Sequence, residues 1–490
     1  MVNPFRGGLD KWVWALMILL LPITSMPLVA RLTGSDVVAA PSGLVLFLFI
    51  LVWLIPYLLK NGGLPRQIIP LLAFVLVAVL ATAAGDFISI PLYKSADPMR
   101  QAVSAFATLA VGVGFFVVSS SWPSTKDRLA FTLRLVNWSG LIIILWALVQ
   151  AAAWYSLHRY PQWMRSFHEF YSVGTLFRQR FVAFALEPSW LAHQLNMLYL
   201  PFWMASVWKR YSAHKFHLGP FHLEDFLFAG GILIMVLTLS RVGLLAFLLT
   251  VGYLAARITW SFTRRFREYS VQRWPGKVGT IRIRSAVVTL AMAFGLLLIS
   301  GLVMLGVAWL LSRLDHRMAN LFNLDLRNQV DPVLYLAERL SLSARMVYWK
   351  AGWNVFNQFP LFGVGLGHAG FFLPGQLDGF AQRQIEVLNL IFRWDVLLNI
   401  KSIWVRILAE TGVVGFSVFA GWLTLLWKTY RFGEGVVDQQ TQMFSWAGQF
   451  VLIAFLLEGF SVDTFALPYV WLSVGLSTAA AMMNWRQNEQ

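Results

Sequence analysis

The chain is patterned as long apolar runs separated by short polar connections. Runs of roughly 20 apolar residues recur near 12–30, 41–59, 68–84, 101–119, 129–154, 188–208, 225–240, 242–260, 285–311, 402–427, 443–458 and 462–483. Each is long enough to cross a hydrocarbon core about 30 Å thick. They predict an all-α polytopic membrane protein of about 12 transmembrane helices. A β-barrel would alternate over segments of about ten residues, and the sequence lacks that alternation. Trp12, Trp53, Trp122, Trp208 and Trp427 stand near run ends, as in an interfacial aromatic belt. The first run has no clear small-residue cleavage site and reads as a retained helix rather than a signal peptide. Two long polar interruptions remain, 155–187 and 312–401. In the larger, Leu336, Leu340, Val347 and Phe356 recur at helical spacing from Pro332 to Phe359, and Pro360 ends the run. That loop is expected to be partly helical.

Charge orients this pattern. Only 13% of the 490 residues are charged and 58% are hydrophobic, whereas soluble domains carry about 25% charged residues. Cations gather in alternate short connections: Arg6 and Lys11, Lys60 and Arg66, Lys126 and Arg128, then Lys209, Arg210 and Lys215, the basic stretch 257–284, and Lys428 with Arg431. The positive-inside rule then puts both termini and the loop 257–284 in the cytoplasm, and loops 155–187 and 312–401 outside. The whole of 1–490 reads as a single membrane domain with an outer cap. A net charge of +16 in so apolar a chain points to anionic lipid headgroups, and nucleic acid is not expected as a partner. Zero cysteines exclude disulfides, thiolate metal sites and a cysteine nucleophile. The eight histidines form no HExxH pattern, so neither a metal nor another cofactor is expected.

The outer loops nevertheless hold many cations, among them Arg178, Arg180, Arg313, Arg317, Arg327, Arg339, Arg345, Lys350, Arg383, Arg393 and Lys401. Cations kept on that side suggest an anionic substrate such as a lipid-linked phosphate. Ser240-Arg241 interrupts an apolar stretch, so Arg241 either snorkels from a tight turn or faces a wet cavity, where its fork can clamp a phosphate. Glu187-Pro188-Ser189 opens a run, which makes Glu187 either an acid stabilised at a helix N-terminus or a general base at the membrane surface. Gly363, Gly365 and Gly367 alternate before His368; the glycines suit a turn or phosphate nest, and His368 is a packed polar residue or an acid–base group. No Walker lysine follows, which argues against ATP. Lys401 enters a run as an anchor or phosphate contact, and Arg406 and Glu410 are spaced to pair on one helical face.

Three segments in order resemble the bacterial O-antigen polymerase and O-antigen ligase superfamily. Leu239-Ser240-Arg241-Val242-Gly243-Leu244 is similar to its "SRG" segment. Arg345, Trp349 to Ala351 and Phe359 to Gly367 resemble its "R…W…A…P-x-x-G-x-G-x-G" loop, and Leu408 to Gly415 its "L-x-E-x-G-x-x-G" segment. The resemblance is best over 178–420. It implies an inner-membrane glycosyltransferase working on the periplasmic face without metal. Its donor would be a glycan on undecaprenyl pyrophosphate, held by Arg178, Arg180, Arg241, Arg345 and Lys401. Ligases of the family commonly carry a histidine before the last segment. Here Lys401 stands in that place, protonated at neutral pH at the ordinary lysine pKa. The base is then sought in Glu187 first and His368 second, with Arg241 and Arg345 stabilising the leaving phosphate. That departure favours a polymerase of lipid-linked repeat units, which would take a chain-length regulator protein as a further partner. The alternatives are an O-antigen ligase using lipid A core as acceptor, and a transporter or flippase of the same lipid-linked glycan.

Overall fold

The computed structural model describes residues 8–34, 39–85, 87–273, 332–339 and 342–488, with scattered positions between 287 and 313. Most of these residues are helical, and the one strand pair among them is a two-residue hairpin, His217–Leu218 with Phe221–His222. Proline stands at the first position of helices Pro27–Thr33, Pro41–Phe49, Pro98–Ser121 and Pro188–Gln194, where its missing N–H costs nothing. Asp97 also caps Pro98–Ser121, and Thr125, Ser402 and Asp438 cap three further helices, each by accepting an N–H from the first turn.

Among the described residues, six helices are long and apolar enough to cross a membrane: Pro41–Leu59, Ile68–Gly85, Pro98–Ser121, Lys126–Leu157, Arg241–Phe266 and Ile403–Glu434. The expected count of about twelve is not confirmed. The first run is divided into Leu9–Leu19 and Pro27–Thr33, and the run at 225–240 yields the short helix Leu223–Leu237. More than half of the run at 285–311 lies outside the described residues, as does most of 312–331. In the large loop the periodic stretch forms two helices rather than one, Pro332–Arg339 and Ser343–Gln358.

The chain divides into two compact units, one of 1–243 with 342–490 and one of 244–341. In the first, helix Pro98–Ser121 packs on Pro468–Asn488, Ile403–Glu434 on Ile68–Gly85, and Gln439–Glu458 on both Leu200–Lys209 and Pro468–Asn488. Aromatic residues fill the seams: Trp14 stacks on Trp122 at 4.6 Å between centroids, and Trp422 on Trp471 at 5.4 Å. Buried polar groups are paired across helices. Asn137 bridges Glu224 at 2.8 Å and Trp203 Nε1 at 3.0 Å, and Asp10 accepts from Trp122 Nε1 at 3.0 Å. The second unit contains the larger part of helix Arg241–Arg273 and helix Pro332–Arg339.

Candidate functional site

The glycine-rich turn after helix Ser343–Gln358 is bound, backbone to backbone, to the segment around Glu410. Gly412 adopts φ 63°, ψ −168° and interrupts helix Ile403–Glu434. That break frees the carbonyls of Ala409 and Glu410, which accept from the N–H groups of Val364 and Gly365, both at 3.0 Å. In return Val413 N–H donates to Pro360 O at 2.8 Å. A Cβ on Gly412 would lie 2.1 Å from Leu361 O, and one on Gly363, at φ 68°, 2.5 Å from Ala409 O, so neither position accepts another residue. Thus two motifs about forty residues apart form one structural element. His368 closes it: its side chain is buried, and Nδ1 lies 3.1 Å from Val364 O. The ring packs within the turn and also lines a cleft of about 530 Å³ with Thr82, Asp97 and Phe106.

The arginine-bearing segments meet in the same unit. Phe181 N–H donates to Leu237 O at 3.4 Å, and Arg180 Nε donates to Thr238 O at 3.2 Å, so the 178–183 stretch lies along the approach to Arg241. Leu239 takes φ 52°, a left-handed turn that ends one helix and lets the next begin at Arg241. Ser240 Oγ accepts from Gly243 N–H at 3.3 Å and caps that start, leaving half-buried Arg241 at the positive end of a helix dipole. Lys401 repeats the device, with φ 59° two residues before the helix start at Ile403. Its carbonyl accepts from Trp349 Nε1 at 3.4 Å, while its ammonium has no partner among the described residues. Leu239 and Lys401 are two of eight described non-glycine residues with positive φ, and each stands just ahead of a helix N-terminus.

A short turn between the last two helices ties these parts together. Its first residue, Glu458, has no side-chain exposure. One carboxylate oxygen meets His193 Nδ1 at 2.6 Å, and the other accepts from Asn196 Nδ2 at 2.6 Å. The same Asn196 nitrogen donates to Gly243 O at 2.7 Å, two residues beyond Arg241. Next, Gly459 O accepts from Ser402 Oγ at 3.2 Å and from Ile403 N–H at 2.8 Å, which fixes the Lys401 end. Then Ser461 Oγ accepts from Arg345 Nη1 at 2.9 Å. Finally Asp463 O accepts from Arg406, whose Nε also holds Glu410 at 2.9 Å in a largely buried pair. Six residues of turn therefore touch the segments of Arg241, Arg345, Lys401 and Glu410.

Not every expected residue joins this cluster. Glu187 is exposed at the N-cap of helix Pro188–Gln194, where its carboxylate accepts from Ser189 Oγ at 3.2 Å; His193 lies on the same helix. Arg178 lines a separate cleft of about 540 Å³ with Trp154, His158, Arg159, Tyr160, Arg165, His168 and Glu169. Burial there holds His168 below the ordinary histidine range. In the cap, Lys350 Nζ donates to Asp378 at 2.7 Å, and that hydrogen bond holds the carboxyl below the usual carboxylate range. His193, Asn196, Glu458, Ser461 and Asp463 are absent from the sequence reading. For Glu458 a signal exists, since an acid ending an apolar run is costly unless it serves a purpose.

These features define a multi-helix membrane protein in which Arg241 and Arg345 stand in the first turns of two helices and Arg180 is tied to the carbonyl of Thr238 just ahead of one of them, an arrangement suited to binding an anion. Residues 226–420 match the Wzy_C family model, described as O-antigen ligase, and the match supports the O-antigen polymerase and ligase superfamily. The matched range contains the Arg241 segment, the glycine turn and the Glu410 segment. No curated protein matches the chain.

Proposed function

We propose that the protein is a glycosyltransferase of the bacterial inner membrane that extends a glycan carried on undecaprenyl pyrophosphate at the periplasmic face. The observation that carries this reading is the convergence of Arg180, Arg241 and Arg345 through Thr238, Asn196, Glu458 and Ser461. Guanidinium forks are suited to pyrophosphate oxygens, and the helix starts at Arg241 and Ile403 add their own positive ends. In the reaction a sugar hydroxyl oxygen attacks the anomeric carbon of the donor. The bond from that carbon to the pyrophosphate oxygen breaks, with inversion in a single displacement. The lipid pyrophosphate leaves as the anion, stabilised by Arg180, Arg241, Arg345 and Lys401. Exposed Glu187 takes the hydroxyl proton; His368, which lines a cleft of about 530 Å³ with Thr82 and Asp97, is the second candidate for that role.

The family model's description favours a second reading, a ligase that passes the same glycan to lipid A core. One experiment separates the two. Purified protein is given an undecaprenyl-pyrophosphate-linked repeat unit, with or without lipid A core, and the products are resolved on a gel. A ladder without core supports polymerase, and a product only with core supports ligase. Arg241→Ala and Arg345→Ala are expected to lower the rate by about 10²–10³. Full activity in both variants, at normal membrane levels, overturns the arginine assignment.

A further inference from the structure

At the far end of the bundle from the glycine turn lies a cleft unrelated to the proposed chemistry. Helix Ile68–Gly85 connects the two places. Near its last residue, a Cβ on Gly85 would press on Val364 O at 2.5 Å, and its first residue follows Gln67. Its 18 residues span about 27 Å, close to one hydrocarbon thickness. The cleft therefore sits at the opposite membrane surface. It measures about 400 Å³ and is lined by Leu64, Arg66, Gln67, Lys428, Phe432 and Met482 among others.

Three features make it a site rather than a crevice. Arg66 and Lys428 are both exposed, and neither has an acidic partner within ion-pair distance among the described residues. Gln67 is 7% exposed and its Nε2 donates to Thr429 Oγ1 at 3.3 Å, yet its carbonyl oxygen is buried with no hydrogen-bond partner. Such an oxygen is costly unless a donor reaches it. The remaining wall, with Leu64, Leu425 and Phe432, is apolar. Two cations, one waiting acceptor and a greasy wall match a phosphodiester bearing a hydroxyl, with an acyl chain attached.

We infer that this cleft binds the headgroup of an anionic glycerophospholipid of the phosphatidylglycerol type, its phosphate between Arg66 and Lys428, with the Gln67 side chain turning to present its buried carbonyl oxygen to the glycerol hydroxyl. A zwitterionic headgroup fits worse, because its ammonium would face two cations. The inference is independent of the proposed reaction.

The test is native mass spectrometry of the full chain in detergent, titrated with phosphatidylglycerol, phosphatidylcholine or inorganic phosphate. Wild type is expected to retain one phosphatidylglycerol in preference to phosphatidylcholine. Lys428→Gln should weaken retention about fivefold, and Arg66→Gln with Lys428→Gln about twenty-five-fold. The charge-keeping pair Arg66→Lys and Lys428→Arg should restore most of it, which separates loss of charge from loss of fold. Equal retention by wild type and Lys428→Gln overturns the inference, as does equal retention of the two lipids. Displacement of the lipid by millimolar inorganic phosphate would assign the cleft to a free anion and overturn the lipid.

Discussion

Glu458→Ala is the most informative single perturbation of the site's frame. The wild-type carboxylate is fully buried and makes two contacts at 2.6 Å, to His193 and Asn196, across 265 and 262 residues of chain. Truncation leaves His193 Nδ1 and one Asn196 interaction facing a small cavity. Losing this shared acceptor leaves two buried polar groups unsatisfied, each at a cost of about 1–3 kcal/mol. Glu458→Gln keeps a carbonyl for Asn196 and should cost about 1–3 kcal/mol, near the value of one hydrogen bond to a charged group. Unfolding in mixed micelles, followed by tryptophan emission, reads both losses. A cycle with His193→Ala adds the decisive arm. If the two side chains act as a pair, the double variant should fall short of the summed single losses by about 1–3 kcal/mol. An unchanged midpoint for Glu458→Ala, or strict additivity in the cycle, would refute the claim that this pair sets the turn.

Gly412→Ala is expected to cost upwards of about 2 kcal/mol, since the new Cβ would sit 2.1 Å from Leu361 O at φ 63°. By contrast Gly421→Ala, in open helix, should be neutral or stabilise by up to about 1 kcal/mol; equal melting of the two would discredit the turn geometry. Glu187→Gln should abolish most glycan transfer without altering the melt, and His368→Ala should do the reverse; the opposite pattern moves the base to the turn. The Asp378 carboxyl is held low by Lys350, so its contribution to stability is present above the ordinary carboxylate pKa near 4 and is lost as pH falls through the lower folded value. The pair is largely exposed, which limits the effect to about 0–1 kcal/mol. Acid titration of the melting point should show this slope in wild type and not in Lys350→Ala.

What the sequence makes legible follows the range of each signal. The Gly363 to Gly367 spacing encodes a turn within a few residues, and the three glycines do adopt φ of 68°, 95° and 88°. Six apolar runs likewise become helices of spanning length, because hydropathy over about 20 residues is a local sum. Breaks inside runs are harder to foresee. The run at 12–30 yields two helices around an interruption containing Pro22 and ending before Pro27, and the carbonyl of Pro22 is instead taken by Gln194 Nε2 at 3.0 Å. Nor does the Pro332–Phe359 periodicity mark the helix start at Ser343, since the apolar spacing runs on across it.

Along the sequence the arginines are isolated cations, and what joins them is a contact order that no local pattern carries. Arg345 reaches Ser461 across 116 residues, and Asn196 reaches Glu458 across 262. The intervening groups, a serine, an asparagine and two acids, are ordinary residues until the fold buries them together. Burial is also what gives them leverage: an unpaired carboxylate among apolar helices costs several kcal/mol, so Glu458 must be met wherever the chain folds. The partners that meet it are His193 on the helix of Glu187 and Asn196 at the carbonyl next to Arg241. The need to satisfy one buried acid thereby couples the helix of Glu187 to the start of the helix of Arg241, and under the proposed reaction that coupling predicts that Glu458 variants which still fold will lose turnover more than donor affinity.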